Sequence, residues 1–181
     1  GCAYVWQYDA ASAAWGKFTS SGFVAGTPHD LSSPAQGTSG CLYGNGERIS
    51  VCHDGKRVCV NGPATTGGKI FVWDYDEATH AWGGYGIDGI FAVNTPFLIF
   101  NNTRGNNFAQ KVRMSLDGKT IVTADYIGNT SGWAHVFKYD DTARARGKYG
   151  AGGNFDAIAS GVAVTSSQYY DLSMSGTMSY Y

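Results

Sequence analysis

An all-β fold built from repeated units is predicted by three observations on the sequence. The 181 residues include 26 glycines, 12 tyrosines, 9 phenylalanines and 5 tryptophans. Many turns together with many aromatic side chains are typical of short packed strands. Two motifs recur along the chain, which is the signature of a repeat protein. No segment shows the apolar periodicity of a helix.

The first motif is a glycine followed by alternating apolar positions, a Tyr-Asp pair, and a short turn that contains Ala or Thr. Its three copies span residues 1–15, 68–82 and 132–146. The tyrosines of the motif are Tyr8, Tyr75 and Tyr139. Because alternation places every second side chain on one face of a strand, each copy predicts a strand that reverses direction after the aspartate.

The second motif consists of two alternating runs joined at Asp-Gly or Ser-Gly. Its copies span residues 49–60, 112–123 and, in a weaker form, 170–181. Their turn glycines are Gly55, Gly118 and Gly176. An Asp-Gly pair between apolar runs is a strong hairpin signal, and we expect a type I′ turn with positive φ at both central residues.

Two cysteines flank the first of these turns. If Asp54 and Gly55 form the turn, Cys52 and Cys59 are diagonal neighbours on one face of the hairpin. They are candidates for a disulfide, which would be strained in that geometry. Their spacing fits no common zinc-binding pattern, so we expect no metal site there.

Combining the two motifs gives units of about four antiparallel strands, the arrangement of a propeller blade. We predict a single domain over residues 1–181 with three units, the third split between the two ends of the chain. The approximate units are residues 40–104, residues 105–164, and residues 165–181 together with 1–39. Either the termini pair and close a compact domain, which we favour, or neighbouring sequence or another subunit completes the terminal strands.

One stretch of the chain resembles a known type of repeat. Residues 105–125, followed by 132–140, resemble the FG-GAP-like repeats of integrin-α-type β-propellers, in particular those of marine algae and bacteria. The resemblance implies a propeller-type repeat and says little about a ligand. Integrin-type repeats often hold calcium in an Asp-x-Asp-x-Asp-Gly loop, whereas Asp54 and Asp117 stand alone before glycine. We therefore expect neither calcium nor another cofactor.

Composition and charge argue against several functional classes. The net charge is −1 and the charged residues are scattered, so nucleic acid is not an expected partner. The longest apolar run, residues 89–100, is interrupted and too short to span a bilayer. No familiar nucleophile, zinc or phosphate-binding motif occurs, so we expect no enzyme, although loop carboxylates leave glycoside hydrolysis as a remote alternative. The compartment stays open, with extracellular and organellar locations both compatible.

Four residues near the Tyr-Asp turns are candidates for binding. Trp15, Trp82 and Arg146 follow the turn at equivalent positions, where partial exposure would allow binding, and His80 lies in the turn itself. Core or staple packing is the explanation that we favour for the residues after the turn.

The low charge content and the split unit together favour a non-enzymatic protein-interaction or self-assembly module. Such a module would suit a structural subunit of an ordered layer, shell or filament. The alternative is a lectin-like protein whose repeated aromatic side chains stack on sugar rings.

Overall fold

A computed structural model describes residues 3–31, 49–62, 68–100, 111–127, 131–150, 152–164 and 169–174 of the chain. These residues form seventeen β-strands and no helix, and every strand pair is antiparallel. The prediction of an all-β fold is confirmed. Across these ranges there is accordingly no helix with the length and apolar character needed to cross a membrane.

The N-terminal unit, residues 3–31, contains five short strands. They are β1 (Tyr4–Val5), β2 (Gln7–Asp9), β3 (Ala14–Thr19), β4 (Gly22–Ala25) and β5 (His29–Asp30). Strands β2, β3 and β4 form one sheet in that order, and β1 pairs with β5.

The central unit, residues 49–100, contains six strands in one sheet. They are β6 (Ile49–Val51), β7 (Arg57–Gly62), β8 (Lys69–Asp76), β9 (Ala81–Tyr85), β10 (Phe91–Val93) and β11 (Phe97–Phe100). The sheet runs β6-β7-β8-β9-β10, and β11 pairs with the first half of β8.

The C-terminal unit, residues 111–174, repeats this arrangement. Its strands are β12 (Lys111–Met114), β13 (Thr120–Ile127), β14 (Ser131–Asp140), β15 (Ala145–Tyr149), β16 (Phe155–Ala157) and β17 (Tyr170–Met174). The sheet runs β12-β13-β14-β15-β16, and β17 pairs with β14.

The hairpin of the Tyr-Asp motif has the same register in all three units. Its facing residues are Tyr8 and Trp15, Tyr75 and Trp82, and Tyr139 and Arg146. The following strand carries a second repeated contact, because three aromatic pairs have ring centroids 5.0 Å apart. These pairs are Phe18–Phe23, Tyr85–Phe91 and Tyr149–Phe155. The repeats of the sequence are therefore repeats of strand pairing.

The strand β17 lies elsewhere than the second motif suggested. It pairs with β14 at the position that β11 holds on β8, whereas β6 and β12 form hairpins with the strands that follow them. By hydrogen bonding β17 is thus part of the C-terminal unit, although the predicted boundary after residue 164 assigned it to the split unit. Gly176 and the rest of the weak copy lie outside the described residues.

The turn type predicted at Asp-Gly is wrong. Gly55 and Gly118 have positive φ angles of 71° and 70°, but neither preceding aspartate does. The Asp54 carboxylate accepts a hydrogen bond from the Lys56 backbone N–H at 3.0 Å, and the Gly55 N–H donates to the Cys52 carbonyl at 3.1 Å. These bonds hold the aspartate in a right-handed conformation, so only the glycine needs the left-handed region.

Two apolar cores lie between the three units. The first joins the N-terminal unit to the central one and includes Ala3, Leu31, Val58, Val60, Phe71, Trp73 and Trp82. The second joins the central unit to the C-terminal one and includes Cys59, Ile70, Val72, Phe97, Ile99, Val112, Ile121, Phe137 and Ile158. Each unit therefore buries its apolar side chains against its neighbours, as repeat proteins do.

One glycine per unit allows adjacent strands to approach closely. A Cβ atom at Gly16, Gly83 or Gly147 would lie 2.1, 2.2 or 1.9 Å from a carbonyl oxygen of the facing strand. Such distances are shorter than a van der Waals contact, so any side chain would push the strands apart. None of the three glycines has a positive φ, so the requirement is one of space rather than of backbone conformation.

We predict that Gly83→Ala destabilises the protein, because its methyl group would overlap the carbonyl of Ala92. The expected loss is about 1–3 kcal/mol in the free energy of unfolding, measured by urea denaturation. Gly152→Ala is the matched control, since the nearest atom to its Cβ is 4.0 Å away, and its effect should stay within about 0.5 kcal/mol. Equal losses for the two variants would contradict the steric explanation.

Candidate interaction interface

Each unit has two faces that meet its neighbours, defined here on the central unit. The leading face carries Phe71, Trp73, Tyr75 and Trp82 and packs against the N-terminal unit. The trailing face carries Cys59, Val72, Asp74 and Phe97 and packs against the C-terminal unit. The two faces lie on opposite sides of β8, because successive side chains of a strand alternate. The contacts between units are called the first and second junctions in chain order.

The first junction combines apolar packing with neutral hydrogen bonds. The His29 ring lies 6.0 Å from the Tyr75 ring and 6.2 Å from the Trp82 ring, edge-on in both cases. His29 Nε2 is 2.9 Å from Gln7 Oε1, and Gln7 also hydrogen-bonds Tyr75. Gln7 therefore links both units at the point where the central unit presents Tyr75 and Trp82.

The second junction replaces these neutral groups with charged ones. Asp74 occupies the position of Gln7, and Arg146 occupies the position of Trp82. Arg146 Nη2 lies 3.8 Å from Asp74 Oδ2, and the Arg57 Nε–H donates to the same carboxylate. The Arg57 guanidinium also stacks 4.1 Å from the Tyr139 ring centroid. A buried cluster of two cations, one carboxylate and one aromatic ring thus joins the two units.

Burial and pairing act in opposite directions on the two arginines. Burial lowers the pKa of Arg146 to about 10, although Asp74 partly opposes the shift. Burial also acts to lower the pKa of Arg57, but the adjacent Asp74 carboxylate outweighs it and the pKa is raised. Both guanidinium groups are therefore protonated at neutral pH. One carboxylate holds both of them, so the cluster depends on Asp74.

The leading face of the N-terminal unit is uncovered. Its four aromatic side chains are exposed by 45% to 59%. They are Tyr4, Trp6, Tyr8 and Trp15. In the central unit the equivalent Phe71, Trp73 and Trp82 are at most 2% exposed. The face that is buried at both junctions is therefore exposed in the N-terminal unit.

The trailing face of the C-terminal unit is partly exposed. Val122 is 39% exposed, whereas the equivalent Cys59 is fully buried. Tyr149 is 40% exposed, and Lys138 occupies the position of Asp74. The described residues therefore present two faces that lack a neighbouring unit among them, an exposed aromatic face and a partly exposed face that carries a cation.

The four predicted binding residues have different surroundings. Trp15 is exposed, and its ring packs 5.4 Å from that of Tyr8. His80 is exposed in its turn, where it has a φ of 51° and lies beside Tyr75. Trp82 and Arg146 are each 2% exposed, which agrees with the favoured explanation of packing in a core rather than with partial exposure. Trp82 and Arg146 are buried because a preceding unit covers them, whereas Trp15 belongs to the first described unit and is 59% exposed.

The cysteine pair does not form a disulfide in the structure. Cys52 and Cys59 are diagonal neighbours as predicted, since Cys52 pairs with Arg57 and Cys59 lies opposite Ser50. Both thiols are free. The Cys52 Sγ–H donates to Asp54 at 2.8 Å, and burial raises the pKa of Cys59 to about 12. Neither thiol is therefore activated as a nucleophile.

Clefts along the first junction are large but chemically mixed. One of about 730 Å³ is lined by residues that include Lys17, His29 and Asp30, and another of about 460 Å³ includes Trp6, Glu77 and His80. Within the described ranges no group of three or more His, Cys, Asp or Glu side chains is arranged to hold a metal ion. The repeated contacts between units are the feature of the molecule with the clearest chemical pattern.

Sequence reasoning missed the variable position of Gln7, Asp74 and Lys138. These residues precede the repeated tyrosine, and their side chains alternate away from the leading face. Their charge differs between the junctions: the neutral Gln7 hydrogen-bonds Tyr75 at the first, and the anionic Asp74 pairs with Arg146 at the second. A comparison of each unit with the next, rather than of all units with one another, would have shown this.

A comparison of the chain with family models, curated proteins and solved structures gives no match. The resemblance to FG-GAP-like repeats therefore stays a prediction.

We predict that Asp74→Gln and Arg146→Trp are each destabilising. Asp74→Gln leaves two buried guanidinium groups without their carboxylate, and Arg146→Trp removes one of the two cations that surround Asp74. The expected loss is about 3–5 kcal/mol for Asp74→Gln, measured by urea denaturation. The double variant places the glutamine and tryptophan of the first junction at these two positions. Its loss in the free energy of unfolding should be smaller than the sum of the two single losses by about 1 kcal/mol or more. Lys119→Gln breaks an exposed ion pair with Asp141 and serves as the control with little expected effect. Strictly additive losses would show that the two positions are not coupled.

We predict that His29 makes stability depend on pH. Burial, followed by the nearby Lys17, lowers the pKa of folded His29 to about 4, against an ordinary value of 6.5. Between these values the unfolded chain binds a proton that the folded chain does not, so stability falls as the pH decreases from 6.5 to 4. Urea denaturation at pH 7 and pH 5 should therefore show that the free energy of unfolding falls more for the parent than for His29→Phe. Phenylalanine is chosen because Phe97 occupies the equivalent position in the central unit. Equal losses would exclude His29 as the source.

Proposed function

We propose that this protein is a non-enzymatic interaction module that associates with a protein partner through the open leading face of its N-terminal unit. The observation that carries the proposal is the exposure of Tyr4, Trp6, Tyr8 and Trp15. The same face is buried wherever a second unit is available to cover it. Large contiguous apolar surfaces on a protein usually mark an interaction site.

The chemistry of this face suits a protein interface. Aromatic residues are enriched at the centres of interfaces, where they supply much apolar area and few rotatable bonds. Near-zero net charge and a low content of charged residues favour association over repulsion. At both internal junctions the leading face is covered by apolar packing, with hydrogen-bonded or charged side chains beside the core.

A sugar-binding role has less support from the same residues. A multivalent lectin would need the repeated position of Trp15 to be exposed in every unit, but Trp82 is buried and Arg146 replaces the third tryptophan. Only the N-terminal unit could then present a stacking platform. Sugar binding is accordingly treated as an outcome of the test below.

We predict that Trp6→Ser and Trp15→Ser weaken the self-association of the purified chain, because each removes exposed aromatic area from the leading face. Sedimentation velocity over a dilution series of the purified chain should show concentration-dependent association that each variant weakens about tenfold or more in Kd. Leu116→Ser is the matched control, since the Leu116 side chain is 75% exposed but belongs to the turn between β12 and β13 at the second junction rather than to the leading face of the N-terminal unit, and it should leave association unchanged.

Two results would contradict the proposal. One is a chain that stays monomeric at every concentration and captures no protein in a pull-down that depends on Trp6. The other is binding of the monomer to a glycan array that is lost in Trp15→Ser, which would favour the lectin.

A further inference from the structure

We infer that the partner of the open leading face is the open trailing face of a second copy of this chain, so that copies associate head to tail. This inference rests on the proposed function and names the partner of that same face. The two open faces are the two halves of a junction that the chain forms twice internally. A second copy is therefore a partner with the geometry of an existing junction.

The first argument is a pairing rule at the two internal junctions. The residue at the position of Gln7 or Asp74 meets the following unit beside its repeated tyrosine, at Tyr75 or Tyr139. The neutral Gln7 hydrogen-bonds Tyr75, whose ring lies 5.4 Å from that of Trp82, and the anionic Asp74 lies 3.8 Å from Arg146. The junction with a neutral tryptophan thus has a neutral residue at this position, and the junction with an arginine has an anion.

The second argument applies this rule to the open faces. On the C-terminal unit, Lys138 is equivalent to Gln7 and Asp74. On the N-terminal unit, Tyr8 and Trp15 are equivalent to Tyr75 and Trp82, which lie at the first junction. A lysine ammonium over tyrosine and tryptophan rings is a favourable cation–π arrangement. Lys138 donates one hydrogen bond to Thr120 Oγ1 at 2.9 Å, and its ammonium keeps two further donors toward a partner. Against an arginine in the place of Trp15, the same lysine would be repelled.

The third argument is a second contact that recurs at both junctions. His80 lies 6.4 Å from the Phe18 ring, and Arg144 lies 5.8 Å over the equivalent ring of Tyr85. Ala13 has the same place and the same left-handed conformation in the N-terminal unit, with a φ of 51°. On the trailing face of the C-terminal unit, the exposed Tyr149 is equivalent to Phe18 and Tyr85. In a head-to-tail contact Tyr149 of one copy would face Ala13 of the next, and the small alanine leaves room for the tyrosine ring.

Association of this kind is heterologous, because the two faces in contact differ. A heterologous contact that repeats gives either a closed ring or an open filament, depending on the rotation between copies. The expected species are therefore larger than dimers at high concentration.

The test uses three variants of the whole chain in sedimentation equilibrium. Lys138→Asp removes the cation, and Trp15→Arg places a cation opposite Lys138, so each should raise the Kd of self-association about tenfold or more. The double variant combines an aspartate and an arginine as at Asp74 and Arg146, and it should recover the parent Kd to within about threefold. Circular dichroism should show unchanged melting for all three, since neither side chain is in a core.

A mixing experiment adds an independent readout. The two single variants, each weakened alone, should associate when mixed, because the mixture allows both the aspartate–arginine contact and the native Lys138–Trp15 contact. If Trp6→Ser abolishes association while Lys138→Asp, the double variant and the mixture behave like the parent, the head-to-tail inference is overturned and the interaction module stands. If no variant changes association, both are overturned.

Discussion

Each unit can bury its aromatic face only against another unit, and the rest of the structure depends on this constraint. A sheet of short strands with large aromatic side chains on one face gains little stability until that face is removed from water. Phe71 and Trp73 obtain this cover from Ala3 and Leu31 of the preceding unit. The close strand approach at Gly83 and the left-handed turn residue His80 belong to the hairpin that holds the face in place.

The polar contact beside each core makes the two junctions chemically different. An apolar face alone would accept any similar face, because hydrophobic packing is not directional. The neutral contact of Gln7 and the charged contact of Asp74 differ, so exchanging the two partners would leave a buried charge unpaired. A buried charge without a partner costs far more than a paired one contributes, and this asymmetry penalises a mismatched contact between faces. The same asymmetry links the internal architecture to the proposed association at the two ends.

Sequence reasoning predicted the repeats, the all-β class and the diagonal placement of Cys52 and Cys59, because these follow from local periodicity and turn residues. It favoured core packing for Trp15 as well as for Trp82 and Arg146, and did not predict that Trp15 is exposed, since a strand pattern does not reveal which copies of a face are covered by a neighbour. The turn at Asp54 was wrong for a local reason: its carboxylate bonds the backbone and keeps the aspartate right-handed. The difference in charge among the equivalent residues Gln7, Asp74 and Lys138 is explained by contacts between units. An alignment of the units with one another does not show those contacts.

The central claim is that the open faces are unpaired halves of the internal junctions, and hydroxyl-radical footprinting by mass spectrometry tests it most directly. Oxidation of Trp6, Trp15 and Tyr149 would be compared between dilute and concentrated protein, with Trp73 and Trp82 as buried references. The account predicts that all three exposed side chains become protected together as concentration rises, to a level near that of the references. Protection of Trp6 and Trp15 without Tyr149, or equal oxidation at every concentration, would contradict it.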